Sequence, residues 1–152
     1  MSYGSVAGVT AIVPALGTFG PTSTPTDTQV ADWLAEGNAK IDAALSSAGY
    51  AVPVVAASAL PLLRSLENLY GAAYALRAYG METAQGEEEI RSEIYLKDFR
   101  QQLLDLTRQD LVALGVGLKP ASDPTHRRRR LRSLQLRRVD GFSEAFSGEV
   151  SD

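Results

Sequence analysis

Apolar residues recur at spacings of three and four in three long stretches of the chain, and each stretch predicts an amphipathic helix. In the first, Val30, Trp33, Leu34, Gly37, Ile41, Leu45 and Ala48 share one face. Its start is marked by Pro25, which cannot extend a helix from upstream. Thr26 follows as N-cap, and Gln29, three residues on, completes the spacing of a capping box. Asp27 and Asp32 lie in or near the first turn, where the helix dipole favours negative charge. Gly49 ends the run. The second stretch begins near Ser58, with Pro61 in the first turn, where a missing N–H is harmless. It continues through Leu62, Leu63, Leu66, Leu69, Tyr70, Ala73, Tyr74 and Leu76 to Gly80. Gly71, Ala72 and Ala73 allow another helix to come close, and this most apolar helix is expected at the centre. The third opens on Glu87-Glu88-Glu89 and is expected to reach Leu114, with Gly115 as its C-cap.

On a helical wheel of the third stretch, Arg91, Asp98, Gln102, Asp105 and Gln109 share a narrow polar arc. Phe99, Leu103 and Leu106 lie opposite, and Ile90, Ile94, Leu104 and Leu111 lie on a flank. The apolar arc is wider than one small core needs. The surplus either covers more core or meets a neighbouring subunit, which makes Ile90, Ile94, Leu104 and Leu111 the candidate subunit-interface residues.

Between the long stretches, residues 2–13 suggest a short helix capped by Ser5, with Val6, Val9, Ile12 and Val13 on one side and Pro14 stopping it. Residues 14–25 have loop composition, with Phe19 as a possible anchor. Residues 49–57 are expected to form a buried connector without a partner strand, and residues 82–86 a loop. Residues 115–125 have linker composition. The expected class is all-α: a small bundle of three long helices plus a short N-terminal helix, with an extended C-terminal arm. Residues 1–115 form the bundle domain, and 116–152 the linker and basic arm.

Composition narrows the chemistry. At 152 residues the chain has the length of one ordinary domain. No apolar run reaches the length of a membrane span, and the first basic residue, Lys40, comes too late for a secretory leader. There is no cysteine and one histidine, His126, which rules out disulfides and thiolate chemistry and argues against a zinc site. A reducing cytoplasm is the expected setting. No Gly-rich phosphate loop or nucleophile elbow occurs. His126 stands in an arginine run with no orienting partner. Asp105 with Asp110, and Asp27 with Asp32, do not share a helix face and read as solvated surface. The three adjacent glutamates suit a helix N-terminus better than a cation site. Tyr70 and Tyr74, one turn apart, suit packing with wet hydroxyls better than a stacking platform. Neither an enzymatic role nor a cofactor is expected.

The net charge of −3 hides an asymmetry. Residues 126–138 hold seven arginines and no acid, whereas residues 1–125 carry fourteen acids against eight bases, and residues 139–152 four acids and no base. An acidic body with a basic arm points to an arm that acts on another molecule. Arg127, Arg128, Arg129 and Arg130 could contact nucleic-acid phosphates, but no aromatic residues are interleaved for stacking. A solvated tail without a role is the second reading. The third is strand addition to a partner's sheet edge: Arg130-Leu131-Arg132-Ser133-Leu134-Gln135-Leu136-Arg137 approximates an apolar/polar alternation, with a slip at Ser133, and Arg138 ends the candidate arm. This third reading is preferred, because Leu131, Leu134, Leu136 and Val139 would be idle in a purely electrostatic tail.

Several stretches carry a resemblance. Tyr3-Gly4-Ser5-Val6-Ala7-Gly8-Val9, Pro25-Thr26 with Thr28-Gln29-Val30 and Trp33-Leu34, Ile41-Asp42-Ala43-Ala44-Leu45, and Ala48-Gly49-Tyr50-Ala51-Val52-Pro53 resemble the head–tail connector (adaptor) proteins of long-tailed bacteriophages. The similarity covers mainly residues 3–80, its motifs are architectural, and the arginine arm lies outside it. The resemblance implies a helical virion protein, assembled in the host cytoplasm, that forms a ring beneath the portal, commonly dodecameric. Such a ring extends the DNA channel without sequence-specific binding and offers a platform to a head-completion or tail-terminator protein. It also implies a C-terminal extension that reaches the portal protein, and no membrane partner. A DNA-binding protein acting through the arginine arm is the alternative.

Overall fold

A computed structural model describes residues 2–83 and 86–120 of the chain. All the regular elements are helical, so the all-α expectation holds for the described residues. Ser5 caps α1 (Val6–Ile12) by accepting from the Gly8 N–H at 3.1 Å, and a 3-10 turn (Pro14–Leu16) follows. The capping box expected at Thr26 is present at the start of α2 (Asp27–Ser47). The Gln29 N–H donates to Thr26 Oγ1 at 3.2 Å, and the Thr26 N–H donates to Gln29 Oε1 at 2.9 Å. Two of the orphan donors at the helix start are thereby satisfied.

The second long helix, α3 (Leu60–Thr83), packs against α1, α2 and α4 (Gly86–Arg108), so it occupies the central place its apolar sequence suggests. Gly71 explains the closeness on one side: a Cβ there would lie 2.8 Å from Val9 Cγ2. Gly37 of α2 does the same against Tyr70, where a Cβ would fall 2.9 Å from the ring. Two apolar clusters result. The larger gathers Ile41, Leu45, Tyr50, Leu63, Leu66, Tyr70, Phe99 and Leu106 between the long helices. The smaller joins Val9, Val13, Val30, Leu34 and Leu76 to Phe19, which anchors the loop before α2 as expected.

Several boundaries differ from expectation, each for a tertiary reason. The second helix begins at Leu60, because Ser58 is used elsewhere: its hydroxyl donates to the Leu114 carbonyl at 2.6 Å. The same helix extends past Gly80 to Thr83, well into the stretch read as a loop. The third long helix stops at Arg108, short of Leu114. Tyr50 sits in the break. Its hydroxyl donates to the Gln109 carbonyl at 2.9 Å and accepts from the Leu111 N–H at 3.3 Å, replacing helical bonds with side-chain ones. Asp110 then caps a 3-10 turn (Leu111–Leu114) by accepting from the Val112 N–H at 3.2 Å, and Gly115, at φ +75°, closes it.

The expected linker after residue 115 also begins later. Val116 is buried, the Ala51 N–H donates to the Gly117 carbonyl at 2.7 Å, and the Lys119 N–H donates to the Gly49 carbonyl at 3.0 Å. Tyr50 and Leu118 form an antiparallel bridge, so the connector expected to lack a partner strand has one residue pair. The body therefore extends to Lys119, and the divide falls at Pro120. No helix of the described residues is long and apolar enough to cross a membrane.

Candidate functional site

The outer face of α4 carries the surplus apolar surface that its sequence pattern announces. Ile90 is 63% exposed, Ile94 51% and Leu104 52%, while Leu96, Phe99 and Leu106 on the opposite side are buried. On the wheel, Lys97, Gln101 and Arg108 fall between and beyond the three aliphatic residues, so the stripe is apolar with cationic punctuation. Leu111 departs from the expected interface set. It lies beyond the helix break and is 1% exposed, packed in the larger core where Tyr50 turns the chain inward. The arm residues Arg127, Arg128, Arg129, Arg130, Leu131, Arg132, Leu134, Leu136, Arg137 and Arg138, together with His126, lie outside the described residues, as do the side chains of Glu87, Glu88 and Glu89. Among the described residues, no group of His, Cys, Asp or Glu could hold a metal ion.

A second constellation was not anticipated. Arg64, Glu67 and Asn68 lie one turn apart on α3 and together hold the chain before α1. Glu67 is fully buried. Its carboxylate accepts from the Tyr3 N–H at 2.7 Å, from the Ser2 hydroxyl, and from Asn38 Nδ2 at 3.5 Å. Asn68 Oδ1 accepts from the Ser5 N–H at 2.9 Å, and Arg64 Nε donates to the Tyr3 carbonyl at 3.3 Å. Gly4 and Gly8 make room for this: a Cβ on either would come within 2.5 Å or 2.2 Å of the Asn68 amide. Buried polar groups stay stable only when paired, and here the pairing is with backbone. The sequence held one signal, a glutamate and an asparagine inside the most apolar helix.

The Tyr3 side chain completes the clamp. Its hydroxyl donates to Asp42 Oδ1 at 2.6 Å and accepts from the Val54 N–H at 2.9 Å, joining α2 to the connector. Burial first, and the Asp42 hydrogen bond next, push its phenol up to about 12. A folded-state value above the unfolded one means that Tyr3 contributes stability below about pH 10 that is lost as pH rises from 10 to 12. Tyr3→Phe is expected to cost about 1–2 kcal/mol at neutral pH. In urea titrations the gap to the parent chain is expected to narrow between pH 10 and 12.

Between α2, α3 and α4 lies a cleft of about 290 Å³ lined by Lys40, Tyr70, Tyr74, Leu96, Phe99, Arg100 and Leu103. Its aromatic wall is continuous. Tyr70 lies 4.8 Å from Tyr74 and 4.9 Å from Phe99 between ring centroids, and Trp33 lies 6.0 Å from Tyr74. The Lys40 ammonium stands 5.6 Å above the Tyr70 ring and pairs with Glu36 at 2.9 Å. Tyr70, expected to keep a wet hydroxyl, is instead 2% exposed, and its hydroxyl has no hydrogen-bond partner of normal geometry. Burial, with the Tyr74 hydroxyl and the Glu36 carboxylate alongside, pushes the Tyr70 phenol well above its ordinary value. Lys40 holds the Glu36 carboxyl below its own.

The chain has no counterpart among the proteins compared: no family model, no curated protein and no solved structure matches it.

Proposed function

We propose that this chain is a structural adaptor of a bacteriophage neck: a helical body that assembles head-to-tail into a ring beneath the portal, with an extended arm that engages the portal protein. The observation that carries the reading is the outward stripe of Ile90, Ile94 and Leu104 on α4. Three large aliphatic side chains more than half exposed along one long helix fit a surface that another copy covers, and a heterologous contact buries different patches on each copy. The resemblance of residues 3–80 to connector proteins supplies the kind of assembly in this reading. In the same reading, the arm from Arg127 to Arg138 adds to the portal through main-chain bonds, with its arginines on acidic neighbours. The ring passes DNA without reading its sequence and presents a platform to a head-completion or tail-terminator protein in the virion.

The test is assembly on the portal protein of the same genome, followed by sedimentation. The parent chain is expected to form a closed ring on the portal. Ile94→Asp with Leu104→Asp, both on the exposed face, is expected to retain helical content but to weaken ring formation at least about tenfold. Removing residues 121–152 is expected to leave the body folded, since Val116 to Lys119 are retained, but unable to dock. Unchanged assembly by the double variant overturns the reading. Tight, steeply salt-dependent duplex binding that disappears with the arm replaces it with the DNA-binding alternative.

A further inference from the structure

We propose that the cleft between α2, α3 and α4 is a docking site for an acidic peptide segment of a partner protein, anchored by one aromatic side chain. The inference is independent of the ring assignment. Its volume, about 290 Å³, falls just below the range for ligand pockets, which begins at roughly 300 Å³. That suits a side chain or two better than a whole cofactor. The walls are Tyr70, Tyr74, Phe99 and Leu103, a surface on which an aromatic ring packs in tilted geometry. The rim is cationic on both sides, with Lys40 on α2 and Arg100 on α4, although acids outnumber bases in the body as a whole.

The charges at the rim point to the occupant. Lys40 pairs with Glu36 at 2.9 Å, and its ammonium has three donors, so it can hold a second carboxylate beside the first. A carboxylate arriving between Lys40 and Arg100 accepts from both cations. A basic segment gains neither contact and meets two cations at the rim. An uncharged aromatic group fills the wall but makes no ion pair.

The experiment titrates the purified full chain with the synthetic peptide Asp-Glu-Phe-Asp-Glu. The single tryptophan, Trp33, tilted against the cleft residue Tyr74 at 6.0 Å between ring centroids, reports occupancy through its fluorescence. Saturable binding is expected, weakened about tenfold or more by Arg100→Glu and also by Lys40→Glu. Both residues are exposed, so neither change threatens the fold. The peptide with alanine in place of phenylalanine, and a peptide with lysine in place of each acid, are expected to bind at least about tenfold more weakly. Absence of a saturable signal at millimolar peptide overturns the proposal. So does equal binding of the alanine peptide, or affinity indifferent to both charge reversals, since each leaves only non-specific attraction or another site.

Discussion

Glu67→Ala is expected to lower the unfolding free energy by about 3 kcal/mol, since it removes the acceptor of two buried donors at about 1–3 kcal/mol each. The buried donors are the Tyr3 N–H and the Asn38 amide; the hydroxyl of the exposed Ser2 also bonds this carboxylate, which has no exposed surface. Glu67→Gln separates charge from shape. The amide keeps one acceptor oxygen but turns an NH₂ toward groups that donate, so about half the loss is expected to remain. Urea unfolding measures both. Hydrogen exchange localises the effect: the Tyr3 and Ser5 amides are expected to lose protection in Glu67→Ala before those of α3. Undiminished protection at Tyr3 would show that the carboxylate is not what fixes the segment.

Tyr70→Ala is expected to cost about 4 kcal/mol, in the range for removing a buried aromatic side chain. The ring is among the largest fully buried side chains and touches three elements. It packs on the bare backbone of Gly37, against Phe99 of α4 and beside Tyr74 on its own helix. Tyr70→Phe is expected to fall within about 0.5 kcal/mol of the parent chain, because the hydroxyl it removes is desolvated without a hydrogen bond in return. Thermal or urea unfolding of the pair provides the check. A phenylalanine variant that loses as much as the alanine one would mean that the hydroxyl is bonded after all.

Local chemistry made much of the fold legible. The Thr26–Gln29 box, the Ser5 cap and the periodic faces of α2 and α3 depend on neighbours a few residues away, which the sequence itself displays. What escaped depends on residues far apart. Nothing near Arg108 says that the helix must stop, since the stop is supplied by Tyr50, about sixty positions earlier. The same long-range contact turns Leu111 inward, away from the interface its spacing suggests, while Ile90, Ile94 and Leu104, upstream of the break, stay on the surface. Residues 115–119, with Gly115 and Gly117, have the look of a tether, and the buried Val116 with the backbone bonds to Gly49 and Ala51 makes them part of the body. Glu67 was visible as a charge in an apolar stretch, but its purpose needed the position of residues 2–5.

The backbone of Tyr3-Gly4-Ser5 is held by groups some sixty residues further along the chain. During synthesis the leading residues emerge first, yet Glu67 and Asn68 must follow them out before those amides have anything to grip. Residues 2–5 therefore settle no earlier than α3. A ribosome stalled before α3 is complete would present those residues as an unfastened thread.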